Sequence, residues 1–374
     1  MEIKREGLFT YHPLSDKEKK NLAILGIIRK KGPISRTEIS KITDINMVSV
    51  SNYTKDYLAK NIILEKGLDE SSGGRRPELV ELNRGDIYVI GIDISSTDTR
   101  AAITNLTMDV KGKIKIPNPK FTKDELADKI KNLIQELAKA SKIDLKDVKA
   151  IGIGASDQNN YFVSAAVERK AEIPTFGGSD AACAAFGEKT LNPKADVADL
   201  LYMHSDVGCG IIVRGDIYFG AAGFAGEMRD TEYLRPWGAY LGIIDSAKRE
   251  IEKGVGTKMV AIAKGSVDNL TKEVVIEAAK QNDEVASYII QNAAMNLGLR
   301  AAYLVNLFNP EVVVIGGGIE KAGPLILEPV IDKIKKFAFA RQANTVRIIP
   351  SALGEDAVSL GAASLAVREI FLGA

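Results

Sequence analysis

Residues 89–100 read Val89-Ile90-Gly91-Ile92-Asp93-Ile94-Ser95-Ser96-Thr97-Asp98-Thr99-Arg100. An apolar strand ends in an aspartate, a turn of small residues follows, and a second strand opens at Arg100. The stretch therefore predicts a β-hairpin. Such a turn can offer backbone N–H groups to a phosphate, and glycines allow the closest approach. Here Ser95 and Ser96 stand where glycines would serve that purpose best. Whether the turn holds a phosphate, or has only the shape of one that does, depends on the rest of the chain.

Working outward, YVIGIDIS and TRAAITN form the hairpin and MDVKGKIKI a third strand. TKDELADKIKNLIQELAKA has the apolar period of an amphipathic helix, and DVKAIGIGAS reads as a buried strand. Further on, DLLYMHSDVGCGIIVRGDIYFGAAG reads as strand, turn and hairpin. The long helix EVASYIIQNAAMNLGLRAAYLVNLF leads through Asn309-Pro310 into the buried strand EVVVIGGG, and a strand, a loop and a helix follow. Strand-rich stretches that return twice predict an α/β fold of two similar lobes.

The chain has 374 residues, 45% of them hydrophobic and 26% charged, which suits a folded protein of two or three domains. No apolar run is long enough to span a membrane and no secretory h-region is present, so a cytoplasmic protein with no membrane partner is expected. Two cysteines, Cys183 and Cys209, argue against a disulfide scaffold. With His12 and His204 they lack the spacing of a zinc site. The net charge of +1 hides an asymmetry. Residues 1–84 hold 16 Lys+Arg against 12 Asp+Glu, and the remainder 34 against 37. A basic head on a slightly acidic body permits a nucleic-acid partner.

That head has its own pattern. Leu22, Leu25 and Ile28 recur at helical spacing until Gly32-Pro33, and Ser35-Arg36-Thr37-Glu38 is a capping box opening a short second helix. After a turn at Thr43-Asp44, Asn46 caps a third helix, with Val50, Tyr53, Thr54 and Tyr57 on one face. Met47, Ser49, Ser51, Asn52 and Lys55 fall on the other. Strands at 62–65 and 78–82 flank the loop 69–77, which holds Gly73, Gly74, Arg75 and Arg76. Three helices with a tight turn before the third, followed by a wing, read as a winged helix-turn-helix. Its third helix would enter a major groove, and its arginine-tipped wing suits a minor groove. Ser35, Arg36 and Thr37 at the start of the second helix join the candidate DNA contacts. The same segment also reads as a small helical packing domain with a solvated basic loop.

The motifs now on the page resemble the ROK family (repressors, open reading frames, kinases) in its long repressor form. GPISRTEIS, SSGGRRP and VELN resemble its winged head; VIGIDI, SDAACAAFGE, GCGIIVRG, GFAGE, NPEVVVIGGGIEKAG and SALGEDAVSLGAA resemble its sugar-kinase-type body. The resemblance runs nearly end to end and in family order. It implies an actin-like ATPase fold behind the DNA-binding head, a homodimer or higher oligomer, and a role linked to sugars.

The resemblance also identifies what the chain has changed. The family's catalytic base corresponds to Asp180, but the asparagine before it, a sugar contact, is Ser179. The first phosphate loop, D-x-G-G-T in the family, reads Asp93-Ile94-Ser95-Ser96-Thr97, and the second, G-T-G-x-G, reads 204–208 with Asp206 inside it. Only the adenosine-side glycines Gly316, Gly317 and Gly318 are intact. On the sugar side Glu227 is kept, while the family's zinc-binding histidine is Asp230 and the cysteine-rich zinc loop is missing. The G-x-P-G turn reads Gly154-Ala155-Ser156-Asp157, and the stretch from there to Asp180 is shorter than the family's. Asp180 and Glu227 also read as helix-capping or ion-paired structural residues, and Gly316–Gly318 as a plain strand-to-helix turn.

The expectation is a DNA-binding domain at 1–84, a first lobe at 85–190 completed by about 357–374, and a second lobe at 191–356. The function expected is a sequence-specific transcriptional repressor of carbohydrate genes, with double-stranded operator DNA and a sugar effector as partners. The effector would meet Ser179, Asp180, Glu227 and Asp230. No metal, ATP or Mg²⁺ is expected. The alternative is an ATP-dependent sugar kinase, of glucose or N-acetylglucosamine type, carrying a DNA-binding head.

Overall fold

A computed structural model describes residues 7–68, 78–95, 98–117, 123–155, 160–205, 208–228 and 241–374. The chain divides into two compact units, Met1–Gly178 with Ala362–Ala374, and Ser179–Gly361.

The first unit begins with the head: α1 (Asp16–Lys31), β1 (Ile34–Ser35), α2 (Arg36–Thr43), α3 (Met47–Ala59), β2 (Ile63–Leu68) and β3 (Glu78–Leu82). Its sheet runs β1-β3-β2, antiparallel throughout. Two capping boxes start the first two helices, Ser15 with Glu18 and Ser35 with Glu38, each pair satisfying orphan N–H groups reciprocally. Asn46 caps α3 by accepting from the Ser49 N–H. Ile24, Leu25, Ile28, Ile39, Val50, Tyr57, Ile63 and Val80 are buried as the head's core.

The head does not stand apart from the lobe that follows. The buried Asn21 donates to the Leu372 and Ala374 carbonyls at 3.3 and 3.1 Å and accepts from the Tyr57 hydroxyl at 2.7 Å. Lys60 Nζ donates to Gly373 O at 3.3 Å. The head and the chain after 362 fall in the same compact unit, joined through the buried Asn21 of α1.

The lobe contains β4 (Tyr88–Ile94), β5 (Asp98–Asn105), β6 (Val110–Pro117), α4 (Lys123–Ala140), β7 (Val148–Ala155), α5 (Asn160–Ala171) and β8 (Thr175–Ser179). The sheet order is β6-β5-β4-β7-β8, antiparallel from β4 to β6 and parallel between β4 and β7. Ile90, Ile92, Ile103, Ile151 and Ile153 from the sheet pack against Ile130, Leu133, Ile134 and Leu137 of α4 and Val167 of α5. The 3.6-residue period seen in the sequence of α4 is this buried stripe.

The second unit contains α6 (Asp180–Leu191), β9 (Leu200–His204), β10 (Gly208–Val213), β11 (Asp216–Ile217), α7 (Ile243–Glu252), α8 (Lys258–Ile262), α9 (Lys272–Lys280), α10 (Glu284–Phe308), β12 (Val312–Gly316), α11 (Pro324–Phe337) and β13 (Arg347–Pro350). Its sheet order is β11-β10-β9-β12-β13, with β9, β12 and β13 parallel. Val313, Ile315 and Leu201 pack under the alanine-rich face of α10 and under Ile326 and Val330 of α11. Asn309, left-handed at φ 47°, ends α10 before Pro310.

The second unit opens at Ser179, just before α6. α6 belongs to the second unit because its small residues seat on β10: a Cβ at Gly210 would strike the Ala181 carbonyl and the Ala185 methyl. Among the described residues no helix is long and apolar enough to cross a membrane.

Candidate effector-binding site and nucleic-acid interface

β8 delivers Ser179 and Asp180 to the start of α6, where Ser179 is the N-cap residue but makes no side-chain cap. Its hydroxyl instead lies beside the Glu227 carboxylate and favours its charged form. Glu227 is positioned by the turn before it. Gly226 has φ +89°, and a Cβ there would run into the Cys209 carbonyl, which lies beside the backbone because Cys209 N donates to Gly226 O at 2.9 Å. An antiparallel bridge between Gly208 and Glu227 completes the clasp. The adjacent Ser179 and Asp180 and the sequence-distant Glu227 thus converge in the second unit. Asp230 lies outside the described residues.

Burial pushes the Asp180 carboxyl up, against the opposing pull of His204 and of the backbone N–H of Ala181, which donates to it at 2.6 Å. Burial also pushes Glu227 up; the Ser179 hydroxyl opposes this and the neighbouring Asp180 charge adds to it. Two carboxyl groups held near each other, with the Ser179 hydroxyl beside them, offer acceptors and a hydroxyl donor to a polyhydroxylated ligand.

The linkage has a definite sign. Both groups have folded pKa values above their unfolded ones, so they bind extra protons in the native state. Stability is lost as pH rises from the ordinary carboxylate range through the raised values. Glu227→Gln is therefore expected to melt above wild type at pH 8, with the gap closing toward pH 4 in thermal scans. A pH-independent gap would refute the assignment.

The phosphate side is built differently. In the β4–β5 hairpin, Ser95 N and Oγ both donate to Asp98 O, at 3.0 and 2.9 Å, and Ser95 Oγ accepts from Asp98 N at 3.1 Å. The serine that replaces a glycine closes its own turn. Burial pushes Asp98 up, but the hydrogen bonds and charges of Arg100 and Lys115 outweigh it and hold the carboxyl below the usual range. Asp93 is buried at the end of β4, in register with Arg100 and Gly154. Ser96, Thr97 and Asp206 lie outside the described residues. In the second unit, Gly317 and Gly318 turn at φ +78° and +91° after β12. Lys272 Nζ donates to Gly317 O and to Ser205 Oγ, both at 2.8 Å, and Ser205 Oγ donates to Gly317 O at 2.7 Å. Sequence reading did not single out Lys272, whose ammonium ties the two loops of this side together. Among the described residues no group of three His, Cys, Asp or Glu could hold a metal ion.

In the head, the sequence-derived contacts separate into two sets. Ser35 is buried and its hydroxyl is engaged in the α2 cap. Arg36 hydrogen-bonds Thr54 Oγ1 at 3.0 Å and pairs with Glu65 at 3.4 Å and Glu78 at 3.0 Å, one carboxylate from each of β2 and β3. Both residues thus also support the fold of the head. Thr37, Met47, Asn52 and Lys55 are exposed, and Ser49 and Ser51 half-buried. Val48, missed from sequence, is 72% exposed. It stands at i, i+4, i+7 with Asn52 and Lys55, the outward ridge of α3. An exposed valine one position into a capped helix was the available signal. Gly73, Gly74, Arg75 and Arg76 lie outside the described residues.

Comparison with known proteins places this geometry. The chain is 29% identical to the xylose repressor of Caldicellulosiruptor bescii over 95% of its own length and 96% of that protein. In structure it is similar to a ROK family transcriptional regulator, a homologue of E. coli MLC protein, with a TM-score of 0.77, 22% identity and coverage of 95% and 98%. It is also similar to a ROK family glucokinase from Streptomyces griseus in complex with glucose and AMPPNP, with a TM-score of 0.63, 23% identity and coverage of 75% and 99%. The glucokinase thus shares the fold of the body, and the regulator that of nearly the whole chain. The ROK family model matches residues 89–233 and 247–369. The chain belongs to the ROK family.

Proposed function

We propose that this protein is a transcriptional repressor of carbohydrate genes, whose head grips an operator half-site and whose body binds a sugar without phosphorylating it. The observation that carries this reading is the asymmetry of the body. The sugar-side set Ser179, Asp180 and Glu227 is assembled, while the Ser95 N–H and hydroxyl of the phosphate hairpin bond within their own turn. The xylose repressor among the relatives makes a pentose, D-xylose, the first effector to test. An effector acts by favouring one arrangement of the body over another, and so shifts the placing of the head.

The test joins two measurements on the full chain. D-xylose should raise the melting temperature, since a ligand at roughly 100 times its Kd stabilises by ~2.7 kcal/mol. The same sugar should release a salt-sensitive complex with an operator recovered by genomic selection. A selection that yields no specific site sinks the reading. The intact Asp180 favours the kinase as a second reading. ATP turnover across a sugar panel, abolished by Asp180→Asn, would establish it instead.

A palindromic operator calls for two heads, and α10 supplies a face for a second copy. Tyr288, Met295, Leu299, Tyr303 and Leu307 are exposed along one side of it. Leu299→Asp is expected to halve the mass measured by light scattering and to weaken operator binding with it.

A further inference from the structure

We infer that residues 7–10 form a strap through which the strand leading to the sugar-side carboxylates holds the DNA-binding head. The inference rests on the reading of Ser179, Asp180 and Glu227 as the effector site. Leu8 bridges Gly177 in parallel, Phe9 N donates to Gly177 O at 3.1 Å, and Gly177 N donates to Gly7 O at 2.7 Å. The strap is thus an added strand on the β8 edge. Phe9, 2% exposed, stacks on Phe176 with ring centroids 6.2 Å apart.

Its other fastenings come from two helices. Ser164 of α5 donates to Gly7 O at 2.7 Å inside the core. Gly7, at φ +79°, leaves no room for a Cβ beside that hydroxyl. Glu369 accepts from Thr10 N at 2.8 Å and from Thr10 Oγ1 at 2.7 Å, with Arg368 alongside at 3.5 Å. The helix carrying Glu369 runs on to the Leu372 carbonyl that accepts from Asn21 of α1.

Position gives these contacts their meaning. Gly177 is two residues from Ser179 at the end of β8 and three from Asp180 at the start of α6, so a ligand that shifts those side chains pulls on the backbone that pairs with the strap. At the other end only Tyr11–Leu14 separate Thr10 from the Ser15 cap of α1. The five steps from Thr10 to Ser15 span at most about 18 Å, which keeps the strap close to the start of α1. Buried hydrogen bonds at Gly7 and Thr10 make the strap itself stiff.

The test is hydrogen exchange on the ligand-free full chain, comparing wild type with Thr10→Val/Ser164→Ala and with the gentler Thr10→Val. Exchange in α1 and α3 should rise roughly tenfold in the double variant, with β12 unchanged. Operator affinity should also lose most of its response to D-xylose. Unchanged exchange in the head overturns the strap, as does a D-xylose response of wild-type size in a variant whose head has been freed. A wild type that finds no operator, or that no sugar stabilises, would instead remove the functional reading. The ligand-free exchange still decides in that case whether the strap holds the head.

Discussion

Glu188→Ala is expected to cost roughly 3–5 kcal/mol, because it strands several buried hydrogen-bond donors at about 1–3 kcal/mol each. Glu188 has no exposed surface. One of its oxygens accepts from Ser351 Oγ at 2.6 Å, Ala352 N at 2.9 Å and Leu353 N at 3.0 Å. The other accepts from Asn192 Nδ2 at 2.8 Å. The side chain therefore fixes the end of α6 to the turn after β13, and alanine would strand two backbone N–H groups at once. Glu188→Gln keeps an oxygen for those donors but adds an N–H₂ with no acceptor, so a smaller loss of about 1–2 kcal/mol is expected. Chemical denaturation measures both. The account fails if the alanine variant loses less than the glutamine one.

Asn52→Ala is expected to weaken operator binding by about 1–3 kcal/mol, ten- to a hundredfold, and to relax specificity at a single base pair. The residue is exposed on the outward ridge of α3, and its amide can both donate to and accept from an adenine edge. Lys55→Ala should behave differently, weakening binding to all sequences and lowering the salt slope by about 1. Val48→Ala should remove discrimination between thymine and uracil at the base it meets, since only the thymine methyl offers it an apolar contact. Arg36→Ala serves as the contrast. It should loosen the wing by releasing Glu65 and Glu78 without changing the preferred sequence. Binding titrations against an operator and its single-base variants separate these outcomes. An Asn52→Ala protein with unchanged base preference would displace α3 as the reading helix.

Much of this was legible in the chain because it is local. Ser35 and Glu38 are three residues apart, so their reciprocal cap follows from spacing alone. The stripe on α4, the Gly32-Pro33 stop and the Asn309-Pro310 exit are of the same kind. Arg36 shows where local reading stops. Its position at the front of a short helix suggested DNA, but its partners lie 29 and 42 residues away on the wing strands. No spacing rule connects them. Val48 was missed for the converse reason: an apolar residue counts as core until the fold leaves it outside.

For VIGIDISSTDTR, sequence by itself determined the hairpin, because period and turn composition are properties of consecutive residues. It also determined that the glycines of a phosphate turn are absent. What the serines do instead was decided in three dimensions, where Ser95 folds its N–H and hydroxyl back onto Asp98. The same division holds for the whole molecule. Helices, strands and caps arise from neighbours along the chain. The convergence of Ser179 with Glu227, the seating of α6 on β10 and the strap on β8 arise from packing between segments dozens to hundreds of residues apart. A linear pattern specifies which faces are apolar, and only the packed core determines which of them meet.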